Sequence, residues 1–176
     1  NSSGWFQVGR ESDVLETVIL ASVGSHHFDN FFDGTYESYT FYFTNIVPQT
    51  HLADFVFEYS NDGGSTFETT NYSRQTVEAG AFITSTGLSQ VSIMRDISSN
   101  VGDVGFSGEL TLVDPSANAV TFCYYRGGGI KSDGEPYQVS GCATRKVAEV
   151  VNAIRFEFDT GNLESGTIMM TGRKKS

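Results

Sequence analysis

Cysteine, proline and positive charge are scarce: the 176 residues hold 2 Cys, 3 Pro and 1 Trp, and 11 Lys and Arg stand against 21 Asp and Glu. Cys123 and Cys142 are too far apart for a CxxC motif and too few for a disulfide framework. They read as free, small core residues, although facing strands would bring them within bridging reach. A formal charge of −10 repels phosphate backbones and anionic headgroups, which argues against a nucleic-acid partner. The only basic cluster, Arg173, Lys174 and Lys175, reads as a solvated tail.

No apolar run approaches the ~20 residues needed to span a bilayer, so no membrane insertion is expected. The opening Asn1-Ser2-Ser3-Gly4-Trp5-Phe6 lacks the charged and apolar regions of a signal peptide. The chain therefore reads as soluble, and its non-Met start suits a processed protein or a segment of a longer one.

Aromatic residues are plentiful. Fourteen Phe and 8 Tyr, with 19 Gly, favour strands joined by tight turns. Alternation with period two recurs, whereas no long window keeps a helical stripe. Strands are expected at 14–20, 36–47, 52–59, 105–113, 119–125, 137–144, 151–158 and 166–171, with a short apolar stretch around Phe28, Phe31 and Phe32. Tyr39, Phe41 and Phe43 share one face, as do Ile154, Phe156 and Phe158. Asn61-Asp62-Gly63-Gly64 supplies a tight hairpin between Tyr59 and Phe67. Between residues 69 and 100 the pattern weakens to short candidates at 81–84 and 91–94.

These segments predict an all-β fold, an antiparallel β-sandwich of about eight to ten strands with jelly-roll topology, because two aromatic inner faces bury one another. The expected organisation is an N-terminal arm at 1–12, one sandwich domain at 13–172 and a basic tail at 173–176. The glycine-rich stretch 127–136 reads as a surface loop available to partners, with Gly127, Gly128, Gly129, Lys131, Asp133 and Tyr137 as the contact residues.

Constellations for catalysis are thin. His26 and His27 are adjacent and point to opposite faces of a strand, and His51 follows a proline turn, so a shared metal is not expected. Asp29, Asp33, Asp54 and Asp62 do not form an EF-hand loop and read as turn caps. Residues 60–67, SNDGGSTF, resemble the Asp-box hairpin of sialidase-like propellers, but the motif occurs once and is a structural one. Asn71-Tyr72-Ser73 and Asn1-Ser2-Ser3 match the glycosylation pattern, a short motif that arises often by chance. Trp5, Tyr124, Tyr125 and Tyr137 are candidates for stacking on sugars. No catalytic residue, cofactor or metal is implied, and the chain is expected not to be an enzyme.

The stretch 151–168, VNAIRFEFDTGNLESGTI, resembles a closing hairpin of jelly-roll surface proteins of tailed bacteriophages, approximately NAIRFxFxxGNxxSGTxxLYG. Met169-Met170-Thr171-Gly172 departs from the usual aliphatic-aromatic ending. YESYTFYFTNIVP and SNDGGSTF are similar to the second strand and first hairpin of the same family. The resemblance implies a non-enzymatic structural protein on the virion surface, assembled in the host cytoplasm. It would decorate or cement the capsid or form part of a tail fibre or tailspike. Its expected partners are other virion proteins and further copies of itself, with apolar contact near the sheet edges; the alternative is a receptor- or carbohydrate-binding module facing a host-surface glycan.

Overall fold

A computed structural model describes residues 12–100 and 102–175. Within them the chain forms β1 (Ser12–Val23), β2 (Ser25–Phe28), β3 (Tyr36–Pro48), β4 (Ala53–Ser60), β5 (Tyr72–Glu78) and β6 (Ala81–Leu88). The second half adds β7 (Val91–Ile97), β8 (Phe106–Val113), β9 (Ala119–Ile130), β10 (Pro136–Glu149), β11 (Ala153–Phe158) and β12 (Leu163–Lys174). All pairings are antiparallel. The protein is an all-β antiparallel β-sandwich.

Eight strands form one sheet in the order β1-β12-β3-β8-β9-β10-β5-β6, and four form the other in the order β2-β11-β4-β7. The chain changes sheet at β1–β2, β2–β3, β3–β4, β4–β5, β6–β7, β7–β8, β10–β11 and β11–β12. Two hairpins, β5–β6 and β9–β10, widen the large sheet beyond β8.

The core follows from the aromatic alternation. Tyr39, Phe41 and Phe43 of β3 face Phe55, Phe57 and Tyr59 of β4 and Phe156 of β11, all buried. The Phe156 ring lies 5.1 Å from both Phe41 and Phe43 and 5.9 Å from Phe55, distances at which aromatic pairs attract. Each fully buried ring contributes about 2–3 kcal/mol through removal from water.

Beneath the widened part the inner contact changes character. Arg74 and Glu78 of β5 are buried and meet β7: Arg74 Nη1 donates to the Ser92 carbonyl at 2.5 Å, and Glu78 accepts from Arg95 Nε at 2.9 Å. The Tyr59 N–H donates to the Tyr72 hydroxyl at 2.7 Å, which ties the two sheets together.

Several expectations need correction. The described residues form twelve strands in place of eight to ten, because β5 carries no alternating apolar signal and β2 is a separate short strand. Gly127, Gly128 and Gly129 lie inside β9, all paired with β10 and the first two also with β8, so they are not a loop; the turn is the short segment 131–135. A glycine is needed at 127 because a Cβ there would sit 2.5 Å from the Ser107 carbonyl oxygen and 2.6 Å from Phe106 Cε2. Arg173 and Lys174 are not a free tail but the end of β12, held by Glu37 at 2.8 Å and Asp13 at 3.0 Å. No strand follows the 60–67 turn within its own sheet, although the Glu68 N–H donates to the Tyr59 carbonyl at 2.8 Å. Of the expected N-terminal arm, residues 1–11, including Trp5, lie outside the described residues, and Ser12 already belongs to β1.

Candidate functional site: the outer face of the large sheet

Residues paired across antiparallel strands point to the same side, so the register traces rows of side chains across the outer face. One row runs from Val14 through Thr171, Thr40 and Thr111 to Tyr124, and on through Cys142 and Gln75 to Thr84. It crosses all eight strands without a charged side chain. The row beside it passes Tyr42, Glu109, Arg126 and Ser140 and ends at Val77 and Phe82. Its two charges neutralise one another, with Arg126 Nε 2.8 Å from Glu109 Oε1. The row on the other side passes Arg173, Val113, Phe122 and Thr144, and Arg173 is paired with Glu37.

This near-neutral face belongs to a chain of formal charge −10. It also carries exposed apolar groups: Phe82 is 68% exposed, Tyr124 47% and Phe122 44%, and Val14, Ile19, Val77, Val113 and Val120 join them. Phe122 and Tyr124 lie with ring centroids 6.5 Å apart. The threonines hold each other: Thr40 Oγ1 and Thr111 Oγ1 share a hydrogen bond of 2.9 Å, and Thr171 Oγ1 donates to the Thr40 carbonyl at 3.4 Å. Shallow depressions lie on the face. One of ≈ 280 Å³ is lined by Phe122, Cys142, Gln75 and Lys146, among others; a second of ≈ 340 Å³ is lined by Tyr124, Glu109, Arg126 and Ser140, among others.

The residues expected to contact partners make defined contacts within the chain. Lys131 lies over the Tyr137 ring, 4.8 Å from its centroid, and its Nζ is 3.2 Å from Asp96. The Tyr137 hydroxyl donates to Glu78 at 2.9 Å, and burial followed by that bond pushes the phenol up to about 12. Asp133 accepts the Glu135 N–H at 3.1 Å. Together with the Ser132 N–H on the Asp96 carbonyl at 2.9 Å, these contacts fasten the β9–β10 turn to β7. The structure brings Lys131 and Tyr137 together and places Gly128 and Gly129 in the strand beside Tyr137, Gly129 as its register partner, while Asp133 stays in the turn.

Sequence reasoning missed the outer face because β9 is apolar on both sides. Thr121, Cys123 and Tyr125 point inward and are buried, while Val120, Phe122 and Tyr124 alternate with them and face out. Cys123 and Cys142 therefore sit on opposite sides of the sheet, and both are free. Burial pushes the Cys123 thiol up to about 12, so it stays protonated.

Other titratable groups serve local structure. Asp62 accepts from the Thr66 N–H at 2.9 Å, the Thr66 hydroxyl at 2.7 Å and the Ser60 hydroxyl at 2.8 Å, and these bonds lower it to about 2. The Asp-box segment is thus a carboxylate-locked turn. Asp54 takes the Asp96 N–H at 3.1 Å and the Ser92 hydroxyl at 3.2 Å, and burial raises its pKa. Asp29 is 3.5 Å from His27, Asp33 accepts the Thr35 N–H at 2.9 Å, and His51 Nδ1 accepts the Ser99 N–H at 3.4 Å. Among the described residues no group of three or more His, Cys, Asp or Glu is arranged to hold a metal ion, and no helix is long and apolar enough to cross a membrane.

No family model matches the chain, and no curated protein matches it. Among solved structures it has a weak likeness to an aerolysin-like protein of Bombina maxima, at 12% identity over 89% of this chain and 87% of that one. The TM-score is 0.14, a value that carries no argument about this chain.

Proposed function

We propose that this protein is a non-enzymatic structural component of a tailed-phage virion, on the particle surface, where it decorates or stabilises the capsid or forms part of a tail appendage. The observation that carries this reading is the outer face of the large sheet, uncharged across a full row and studded with exposed rings on an otherwise acidic chain. Apolar surface of that extent marks a contact site when it is contiguous. With strands ~4.8 Å apart and rows ~7 Å apart, eight strands and three rows span roughly 700 Å², close to the ~800 Å² per partner of a stable interface.

The strand order gives independent support. The order β1-β12-β3-β8 in one sheet and β2-β11-β4-β7 in the other supports a jelly-roll reading. The acidic remainder of the surface disfavours contact with an encapsidated genome. A density map of the virion encoded by the same genome tests the proposal. The domain should occupy symmetry-related surface positions with the outer face against a neighbouring protein; its absence from the particle would refute the reading.

One observation favours a second reading, a carbohydrate-binding module. Phe122 and Tyr124 stand beside depressions lined by Gln75, Ser140 and Thr144, a combination of ring faces and uncharged hydrogen-bonding groups that suits sugars. A glycan array probed with the isolated chain and with Tyr124→Ala separates the readings: glycan binding lost in the variant supports recognition, and no binding leaves assembly.

A further inference from the structure

Among the described residues the sandwich has four open sheet edges, and three of them carry features that block pairing with another strand. β1 has a bulge between Val14 and Glu16 and the carboxylates of Asp13 and Glu16. β2 is four residues long. β7 is irregular in its pairing with β4, contains Arg95 and Asp96, and is bridged by the β9–β10 turn through Ile97 and Lys131.

β6 differs from all of these. Its sequence, AFITSTGL, has no charged residue and no proline. From Ala81 to Thr86 it pairs with β5 without a register shift, and the extra residue comes only at Gly87, near its end. Phe, Ile and Thr favour extended backbone, and Phe82 stands exposed at the rim of the neutral outer face.

We infer that the β6 edge is an interaction site that takes the β6 strand of a second copy of this chain, antiparallel, continuing the large sheet across a two-fold axis. Self-pairing is favoured because identical strands meet in an isologous contact, and a strand without charge brings no like charges together even though each chain carries −10. In the register that keeps the outer rows on one side, Thr84 faces its own copy and Phe82 faces Thr86 of the partner. β-Branched and aromatic cross-strand pairs of this type stabilise a ladder. The inference goes beyond the proposed function, to which it adds a contact between copies of the chain and the place where they meet.

Sedimentation velocity on the full chain tests it. The native chain is expected to show a concentration-dependent dimer. Thr84→Lys, which sets two ammonium groups opposite one another on the solvent side, should weaken that dimer at least about tenfold. Thr17→Lys, near the opposite edge, should leave it unchanged. Hydrogen exchange on the native chain supplies a reading independent of any variant: amides in β6 should exchange more slowly as concentration rises. A native chain that stays monomeric, or a dimer broken by Thr17→Lys or Tyr124→Asp but not by Thr84→Lys, would overturn the inference. A monomer in solution that still occupies its place on the virion would overturn the β6 contact alone and leave the proposed function standing.

Discussion

Arg126 Nε donates to Glu109 Oε1 at 2.8 Å across β8 and β9, so the two charges in the centre of the outer face cancel. The guanidinium is 74% exposed, and a pair of that kind contributes only about 0–1 kcal/mol to folding. Its consequence is the neutrality of the face. Arg126→Glu should change the melting temperature little while placing two carboxylates side by side on the contact surface. Incorporation into particles should fall sharply with folding intact, as read by thermal melting alongside a particle-binding assay.

The Phe106 ring lies against Gly127, where three strands are drawn close together. Gly127→Ala forces a methyl group into the Ser107 carbonyl and the ring, and neither can retreat without disturbing β8. A loss of about 1–3 kcal/mol is expected from such overpacking, measured by denaturant unfolding. A surface-loop glycine would tolerate the same change.

Glu78 is the buried hub between β5 and β7, touching Arg95 at 2.5 Å, Arg74 at 3.3 Å and the Tyr137 hydroxyl at 2.9 Å. Glu78→Gln leaves Arg74 buried beside a neutral amide, and removing one partner of a buried pair costs about 3 kcal/mol or more. Calorimetry should show the loss, and hydrogen exchange should place it in β5, β6 and β7.

Burial holds the His26 imidazole below its ordinary 6.5, opposed in part by Glu16 at 3.7 Å. The folded state therefore binds this proton less readily than the unfolded chain. The associated stability is complete above about pH 6.5 and declines as pH falls below it. His26→Gln should flatten that part of a stability-against-pH curve and leave the slope at alkaline pH, where the imidazole is neutral in both states, unchanged.

These sites explain what was legible in the sequence. Tyr39, Phe41 and Phe43, and Ile154, Phe156 and Phe158, alternate large rings or branched chains with polar or exposed neighbours, and the period of two declares their inward face. β5 gives no such signal. Its inward residues are Tyr72, Arg74, Thr76 and Glu78, because the widened sheet meets β7 through ion pairs instead of an apolar layer. Arg173 and Lys174 read as a tail because their partners, Glu37 and Asp13, lie more than a hundred residues away in sequence. Gly127, Gly128 and Gly129 read as a loop because glycines that admit a close-packed ring are indistinguishable in sequence from glycines that admit a turn.

Hydroxyl-radical footprinting of the isolated chain and of the assembled virion tests most directly whether the outer face is a contact surface. Phe82, Phe122 and Tyr124 should lose most of their oxidation on assembly, while Leu52, exposed elsewhere, keeps its own. Equal labelling of the three rings in both states would contradict it.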